Sequence, residues 1–310
     1  MARVTTVVPV YNSAATVRET IASAIAQTYA DSEIIAVDDG STDSSGEILA
    51  SFGPRVRVVT QVNRGLSAAR NAGVRAGAGE LIALLDADDA WQPRFLTELV
   101  GALDREGAGA VLAFSDVSIM TSDGAELEPK LAAPRDLQSP SLDQMFEHLC
   151  PIMPSAVVMR RAAFEQAGGF CEEFRGLGYE DVYMWLRVRE LGSFAHVAEP
   201  LVRWRFSLFP APLKPMRKER AAAVLFESLV QERWHRSARA LIRERERSPR
   251  SILGYIGLAA LARGDRVTAR HAFARALRYD PLRIRNYLRF ARTVLPGPLA
   301  KALSGRGVRA

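Results

Sequence analysis

The stretch Leu81-Ile82-Ala83-Leu84-Leu85-Asp86-Ala87-Asp88-Asp89 gives the clearest indication of the fold, because an aliphatic segment runs directly into a cluster of carboxylates. Five aliphatic residues bounded by polar ones are typical of a buried strand. The same junction occurs upstream, where residues 34–37 lead into Asp38-Asp39-Gly40. In open α/β sheets, ligands bind beyond the carboxyl ends of the strands. The two junctions therefore predict a ligand site at one edge of such a sheet.

Short aliphatic runs alternate with helical segments through the first 115 residues or so. The pattern predicts strands at 4–10, 33–37, 56–60, 81–85 and 110–114. It predicts helices at 14–27, behind the capping residues Asn12 and Ser13, and at 43–51, 66–76 and 93–105. This alternation is typical of a doubly wound, mostly parallel α/β sheet flanked by helices.

Charge divides the chain of 310 residues into two regions. Residues 1–210 carry 18 Lys and Arg against 28 Asp and Glu, a net charge of −10. Residues 211–310 carry 23 against 7, a net charge of +16. Three prolines between 210 and 215 lie at the change of sign, where a linker is favoured. We therefore predict an acidic α/β region over 1–210 and a basic, all-helical region over 211–310.

The basic region contains predicted helices at 217–247, 252–262, 267–279 and 282–295, the first of which could be interrupted. Four short motifs in it resemble a tetratricopeptide-like helical hairpin. They are Gly264-Asp265, Ala269-Arg270, Ala276-Leu277 and Asp280-Pro281. Only one such unit is visible, so we expect it to pack on another part of the protein or on another chain.

The last predicted helix pairs an apolar face with a basic stripe. The two sets are Ile284, Leu288, Ala291 and Leu295, and Arg285, Arg289 and Arg292. One reading is peripheral contact with an anionic membrane, since each basic residue near such a surface contributes about 1 kcal/mol. The other is a scaffold whose arginines are solvated or pair with the acidic region. Nucleic acid is not expected as a partner, because the segment lacks a pattern of stacking aromatics.

The sequence contains no apolar run of the roughly 18 residues that would span a bilayer. It also starts without the basic and apolar segments of a secretion signal. We expect a cytoplasmic protein, with peripheral contact at the inner face of the cell membrane as the open alternative. With 48% hydrophobic residues, the composition excludes disorder as the main state.

The acidic clusters at the strand ends predict a metal-dependent ligand. Adjacent carboxylates repel one another unless a cation lies among them. Mg²⁺ and Mn²⁺ suit this role, because they take one or two carboxylates and complete their shell with water and phosphate oxygens. Structural readings stay open: Asp43 could cap the following helix, and Asp38 could accept hydrogen bonds from the turn at Gly40. Asp86 and Asp88 could belong to a solvated loop.

Five motifs in order resemble the inverting family-2 glycosyltransferases of GT-A fold, over residues 1–206 or so. They are Val8-Pro9-Val10-Tyr11-Asn12, Val37-Asp38-Asp39-Gly40-Ser41-Thr42-Asp43, Asn63-Arg64-Gly65-Leu66-Ser67-Ala68-Ala69-Arg70-Asn71-Ala72-Gly73, Leu85-Asp86-Ala87-Asp88-Asp89, and Gly178-Tyr179-Glu180-Asp181 with Trp185-Leu186-Arg187. The resemblance implies transfer of a sugar from a nucleoside-diphosphate sugar to an acceptor hydroxyl, with inversion at the anomeric carbon. It also implies a divalent metal, Mn²⁺ or Mg²⁺, and a saccharide or lipid-linked acceptor in polysaccharide or cell-envelope glycan synthesis.

The resemblance assigns a nucleotide site to the first half of the chain. Pro9 and Tyr11 correspond to residues that line this site, with Tyr11 placed to stack on the base. Asp39 corresponds to the acid that accepts a hydrogen bond from a base ring nitrogen, which for uracil is N3–H and favours a UDP-sugar. Arg70 corresponds in position to an arginine near the base and the diphosphate. Asp86 corresponds to the acid near the ribose.

The resemblance also assigns metal and catalytic roles. Asp88, together with Asp86, corresponds to the metal-binding acids, although Asp89 leaves open which carboxylate touches the metal. Asp181 corresponds to the general base that takes the acceptor proton, a role typically worth about 10²–10⁴ in rate. Glu180 corresponds to its orienting neighbour.

Two alternatives remain open on the residues alone. Glu180 and Asp181 could simply occupy the first turn of a helix, where acids are favoured by the helix dipole. The whole chain could be a nucleotide-binding adaptor of the same fold that recruits partners through its helical tail. The combination of Asp39, Asp86, Asp88 and Asp181 favours the enzyme, since an adaptor would not need all four.

Overall fold

The first aliphatic run forms strand β1 (Val4–Val10), which is buried along its whole length in the middle of the parallel part of the sheet. The computed structural model describes residues 2–120, 126–131, 138–147, 152–205, 216–242, 264–279 and 284–295, with isolated positions at 124 and between 253 and 261. Strand β1 pairs on one side with the strand after it and on the other with the strand of the Asp86 junction. Its burial explains the uninterrupted apolar pattern.

Nine strands form one sheet within these residues. After β1 they are β2 (Ser32–Asp38), β3 (Arg57–Thr60), β4 (Leu81–Leu84), β5 (Ala90–Trp91), β6 (Ala110–Met120), β7 (Glu126–Leu131), β8 (Val157–Arg160) and β9 (Ser193–Arg205). Their order is β3-β2-β1-β4-β8-β6-β9-β5, and β7 pairs with β6. The first four are parallel, β6 and β9 run in the same direction, and β5, β7 and β8 are antiparallel to their neighbours. The predicted class, a mostly parallel α/β sheet flanked by helices, is confirmed.

Ten α-helices lie within the described residues and have bounds that the structure gives. They are α1 (Val17–Ile25), α2 (Ser45–Ala50), α3 (Leu66–Ala76), α4 (Phe95–Glu106), α5 (Leu142–Glu147), α6 (Arg161–Gln166), α7 (Glu180–Arg189), α8 (Met216–Trp234), α9 (Arg266–Tyr279) and α10 (Ile284–Val294). None of these helices combines the length and the apolar character needed to cross a bilayer.

The two faces of the parallel sheet are covered by different helices. Val8 faces α1 and packs with Val17 and Ile21. On the opposite face, α3 lies very close to β1. The distance is so short that a side chain at Gly73 would collide with Val7. A glycine is required there so that α3 can approach the strand this closely. This approach fixes the helix that carries Arg70.

The predicted start of the first helix is wrong. Helix α1 begins at Val17, and Asn12 and Ser13 lie in the preceding loop. Asn12 adopts a left-handed conformation (φ 49°), and its side-chain oxygen accepts a hydrogen bond from the Thr42 N–H at 2.8 Å. Its amide therefore joins the loops after β1 and β2 instead of capping α1. The predicted strand at 110–114 is also too short, since β6 continues to Met120.

The helices after residue 210 pack in two places. Helix α8 shares the core of the α/β region, since Ala222, Phe226 and Val230 are fully buried in that cluster. It ends at Trp234, and His235 adopts a positive φ of 52°, so the predicted long helix is interrupted there. Helices α9 and α10 pack together, with Phe273 at their centre. The division at residue 210 and the tetratricopeptide likeness stay predictions, and residues 206–215 lie outside the described part.

Candidate active site

The carboxyl ends of β1, β2 and β4 lie side by side and carry the predicted nucleotide residues. Pro9 is buried within β1 opposite Val37, one residue before the end of the strand. Tyr11 follows the end of the strand and is 50% exposed, which leaves its ring accessible for stacking. Because β1 is central, the loops after its neighbours β2 and β4 flank Tyr11.

Asp39 is 3% exposed and organises the loop at residues 61–65. Its Oδ1 accepts hydrogen bonds from the Gln61 side-chain amide at 2.7 Å and from the Arg64 N–H at 2.8 Å. Its Oδ2 accepts one from the Gly65 N–H at 2.8 Å. These bonds give Asp39 a structural role, because they hold the loop after β3. A carboxylate oxygen has two lone pairs, so Oδ2 keeps capacity for a further donor.

The structural readings of two nearby acids are supported by their contacts. Asp38 Oδ1 accepts a hydrogen bond from the Ser41 N–H at 2.9 Å, within the turn at Gly40. Asp43 accepts hydrogen bonds from the N–H groups of Ser45 and Ala14, both at 3.0 Å. A hydrogen bond from the Ser45 side chain, followed by those from the backbone N–H groups, lowers the pKa of Asp43. Both acids therefore shape the loop after β2.

Arg70 lies at the centre of a buried ionic network. It is 1% exposed, and its Nη2 donates to Asp86 Oδ1 at 2.7 Å while its Nη1 lies 3.4 Å from Glu180 Oε1. Its guanidinium carbon lies 5.0 Å from the centre of the Phe170 ring. Burial alone would lower the pKa of Arg70, but the charges of Asp86 and Glu180 raise it. The network joins α3, the loop after β4 and the start of α7.

The structure separates the three acids that follow β4. Asp88 is exposed, whereas Asp89 is buried and points to the interior. Asp89 accepts a hydrogen bond from the Ser155 hydroxyl at 2.5 Å and one from the Arg205 N–H at 2.9 Å. Asp86 is partly exposed at 26%. Asp86 and Asp88 are therefore the carboxylates available to a ligand, and Asp89 holds the loop in place.

Burial, together with repulsion among these acids, perturbs their protonation. Loss of solvation and the neighbouring Asp86 carboxylate raise the pKa of Asp88 to about 6, although its side chain reaches solvent. Burial and the charges of Asp88 and Asp86 raise the pKa of Asp89 well above its usual range. A divalent cation would relieve this repulsion.

The donor set suits a metal that keeps open positions. Within the described part of the chain, no three His, Cys, Asp or Glu side chains are grouped so as to hold a metal ion. Of the acids after β4, Asp86 and Asp88 are the two that reach solvent. Mg²⁺ and Mn²⁺ fit such a set, because they retain water and bind substrate phosphates beside one or two carboxylates.

Glu180 and Asp181 form the first turn of α7. Glu180 faces Arg70, and Asp181 Oδ1 accepts a hydrogen bond from the Val182 N–H at 2.9 Å. Asp181 directly follows Glu180 in this turn, so it lies next to the residue that pairs with Arg70. The helix-start reading thus describes where these acids lie, and it is compatible with a catalytic role.

Two residues that sequence reasoning missed hold the acidic loop. The Ser155 hydroxyl accepts a hydrogen bond from the Asp86 N–H at 3.0 Å in addition to its bond to Asp89. The Arg205 side chain donates to the Asp88 carbonyl at 2.8 Å and forms an ion pair with Glu19 of α1. Neither residue belongs to a motif, because each acts across more than 60 positions of sequence.

Comparison with known proteins places the chain among glycosyltransferases. The model of the family described as "Glycosyl transferase family 2" matches residues 5–168, which ends before Glu180. The succinoglycan biosynthesis protein ExoO of Rhizobium meliloti is 36% identical over 164 residues, covering 48% of this chain and 47% of ExoO. The glycosyltransferase alr2836 of Nostoc is 33% identical over 172 residues, covering 53% and 52%. The chain thus spans about half the length of these relatives.

Solved structures extend the likeness to nearly the whole chain. TarS 1–349 of S. aureus in complex with UDP superposes with a TM-score of 0.54 at 16% identity, covering 100% of this chain and 93% of the 1–349 chain. The mannosyltransferase PcManGT of Pyrobaculum calidifontis, in complex with GDP-mannose and Mn²⁺, gives a TM-score of 0.55 at 20% identity, covering 97% and 78%. At these identities the likeness is one of fold, and it confirms the GT-A type.

Proposed function

Since the chain belongs to glycosyl transferase family 2, we propose that it moves a sugar from a nucleoside-diphosphate sugar to an acceptor hydroxyl, with inversion at the anomeric carbon. One observation carries the proposal. One edge of the sheet carries the exposed Tyr11 ring, the Asp86 and Asp88 carboxylates, and the start of α7 with Glu180 and Asp181. Arg70 pairs with both Asp86 and Glu180. This is the edge at which α/β sheets bind their ligands.

In the proposed reaction, the acceptor hydroxyl attacks the anomeric carbon from the face opposite the diphosphate. The new bond joins the acceptor oxygen to that carbon, the bond to the phosphate oxygen breaks, and the nucleoside diphosphate leaves with the electron pair. Asp181 takes the proton of the acceptor hydroxyl as general base. Arg70 pairs with Glu180 and orients it beside Asp181. A divalent metal held by Asp88 and Asp86 would stabilise the charge that develops on the diphosphate.

The donor is proposed to be a UDP-sugar, with Tyr11 stacked on uracil and Asp39 accepting its N3–H. The buried Asp39 already binds two backbone N–H groups, so it is held rigidly enough to read a base edge. Of the two structural neighbours, one was crystallised with UDP and the other with GDP-mannose and Mn²⁺. Both nucleotides therefore belong in the test.

The setting is proposed to be polysaccharide or cell-envelope glycan synthesis, with a saccharide or lipid-linked acceptor. The likeness to a succinoglycan biosynthesis protein supports this setting. It extends over 48% of this chain and 47% of that relative, and the acceptor is part of the proposal.

Calorimetry with UDP and with GDP, each in Mn²⁺, in Mg²⁺ and in EDTA, tests the donor site. A second measurement follows nucleotide release from UDP-glucose, UDP-N-acetylglucosamine and GDP-mannose. Metal-dependent binding of one nucleotide, with slow release from its sugar, supports the proposal. Folded protein that binds a nucleotide but releases none from any donor would favour the adaptor of the same fold.

Contact with an anionic membrane is proposed for the basic helices. Helix α10 exposes Tyr287, Leu288 and Val294 at 49%, 46% and 51%, and the region after residue 210 carries a net charge of +16. Exposed apolar side chains on a basic helix are typical of interfacial binding. In a flotation assay at low salt, the full chain should rise with vesicles containing phosphatidylglycerol and stay below with phosphatidylcholine alone. Failure to float with either would refute the proposal.

A further inference from the structure

Helix α8, which lies beyond the predicted boundary at residue 210, contacts the residue that precedes the acidic pair. Its Phe226 is fully buried and stacks on the Tyr179 ring, with centroids 4.9 Å apart and planes 28° from parallel. The rings of Phe174 and Tyr183 surround the same Phe226 at 6.5 Å. Tyr179 is therefore seated in an aromatic cluster to which α8 contributes the central ring.

The backbone conformation of Tyr179 requires support from the residues packed around its ring. Its φ of 75° and ψ of −5° are left-handed, a conformation that bulky residues adopt only when their surroundings impose it. Glycines precede it at 176 and 178, both with positive φ, and they add little restraint of their own. The Tyr179 carbonyl accepts the Tyr183 N–H at 3.0 Å, which closes the first turn of α7. The direction of Glu180 and Asp181 thus depends on where Tyr179 is held.

Helix α8 is itself fixed against both ends of α7. At the far end, Glu190 accepts hydrogen bonds from the Arg233 guanidinium at 2.8 Å and from the Trp234 indole at 2.6 Å. The Trp234 ring also meets Tyr183 edge to face at 5.8 Å. Phe226 is consequently presented by a helix that is anchored independently of the Tyr179 contact.

We infer that Phe226 is a positioning residue for the transfer reaction: its stack on Tyr179 holds the first turn of α7 so that Asp181 faces the acceptor. The inference rests on the proposed function. It means that part of the basic helical region completes the active site. Misplacing a reacting group by about 1 Å can cost 10²-fold in rate. We therefore expect kcat to fall at least tenfold when the stack of Phe226 on Tyr179 is removed.

The test compares Phe226→Leu with Val224→Ala in the full chain. Leucine keeps most of the apolar volume but cannot stack, and Val224 is 70% exposed on the same helix. Hydrogen exchange should speed up at least about fivefold at the Tyr183 amide in Phe226→Leu and stay unchanged in β1. The kcat for nucleotide release should fall at least tenfold, while the donor KM and the Kd for UDP with Mn²⁺ change less than twofold. Val224→Ala should match the wild type in every measurement.

A double-mutant cycle with Tyr179→Gly provides a second test of the same contact if Phe226→Leu is poorly folded. Glycine accepts the left-handed backbone without strain but offers no ring, so it should lower kcat to a similar extent. Phe226→Leu should then add less than twofold, because both changes remove one contact. Unchanged Tyr183 exchange in Phe226→Leu, or kcat losses that multiply in the double mutant, would overturn the inference. A wild type that releases no nucleotide would refute the proposed function instead. The hydrogen-exchange measurement would still test whether Phe226 holds Tyr179 and the first turn of α7.

Discussion

Arg70 Nη2 donates to Asp86 Oδ1 across 2.7 Å, and the arginine of this pair is 1% exposed whereas the aspartate is 26% exposed. The cation is thus hidden beneath the site, and the carboxylate it holds is open to a ligand. A second carboxylate oxygen, Glu180 Oε1, lies 3.4 Å from Arg70 Nη1. One buried charge therefore positions acids that come from two distant parts of the sequence.

Removal of this charge should destabilise the fold. We expect Arg70→Met to lower the free energy of unfolding by about 3 kcal/mol, because it leaves Asp86 and Glu180 without their counter-charge. Urea denaturation measures the change. Arg75→Met on the exposed side of the same helix is the matched control and should stay within about 0.5 kcal/mol of the wild type. Equal losses in the two variants would show that the network does not stabilise the protein.

Asp88 should control metal-dependent binding. Asp88→Asn is expected to weaken UDP binding in Mn²⁺ to the level measured in EDTA, since the amide removes one of two available carboxylates. Calorimetry with and without the metal checks this. Glu106→Gln, at the exposed end of α4, should bind like the wild type. Full metal-dependent binding by Asp88→Asn would exclude this residue as a ligand.

Asp39 should affect nucleotide binding whether or not metal is present. Asp39→Asn places an amide N–H₂ among backbone donors, so the loop at 61–65 should loosen and UDP affinity should fall about tenfold, or about 1.4 kcal/mol. The loss should be the same in Mn²⁺ and in EDTA, unlike that of Asp88→Asn. Glu47→Gln, exposed on α2, serves as the control. An affinity equal to that of the wild type would remove Asp39 from the base site.

Asp181 should be needed for turnover but not for binding. We expect Asp181→Asn to reduce kcat by about 10²–10⁴ while the Kd for UDP with Mn²⁺ stays within twofold. Steady-state assays of nucleotide release, run beside calorimetry, separate the two effects. Glu173→Gln, exposed upstream of α7, should leave both unchanged. Retained turnover in Asp181→Asn would rule out this carboxylate as the base.

Glu180→Gln provides a contrast with Asp181→Asn. Because Glu180 pairs with the buried Arg70, its substitution should lower stability as well as kcat, whereas Asp181→Asn should affect kcat alone. Thermal unfolding of both variants distinguishes them. Equal melting temperatures would contradict an orienting role through Arg70.

The local pattern of residues was sufficient to place many of the elements. The predicted bounds of β1 and α3 agree with the structure, because an unbroken aliphatic run and a glycine-bounded periodic segment are signals contained within one element. The strand-end acids Asp39 and Asp86 were also found in this way, since their position follows from the ends of β2 and β4. Helix starts were less predictable: Asn12 has the chemistry of a cap but bonds to Thr42, 30 positions away.

Sequence patterning determines the α/β class, the sheet edge at which we propose that the donor binds, and the residue types gathered there. These follow from periodicity and from the order of strands along the chain. The sequence pattern could not show that Asp89 points inward to Ser155 or that Arg70 joins Asp86 to Glu180. Nor could it show that Phe226 stacks on Tyr179. Each of these contacts joins residues at least 16 positions apart, and the partner is selected by packing in three dimensions. Side-chain identity supplies the chemistry, but burial and the neighbours brought by the fold determine which carboxylate is held and which is open.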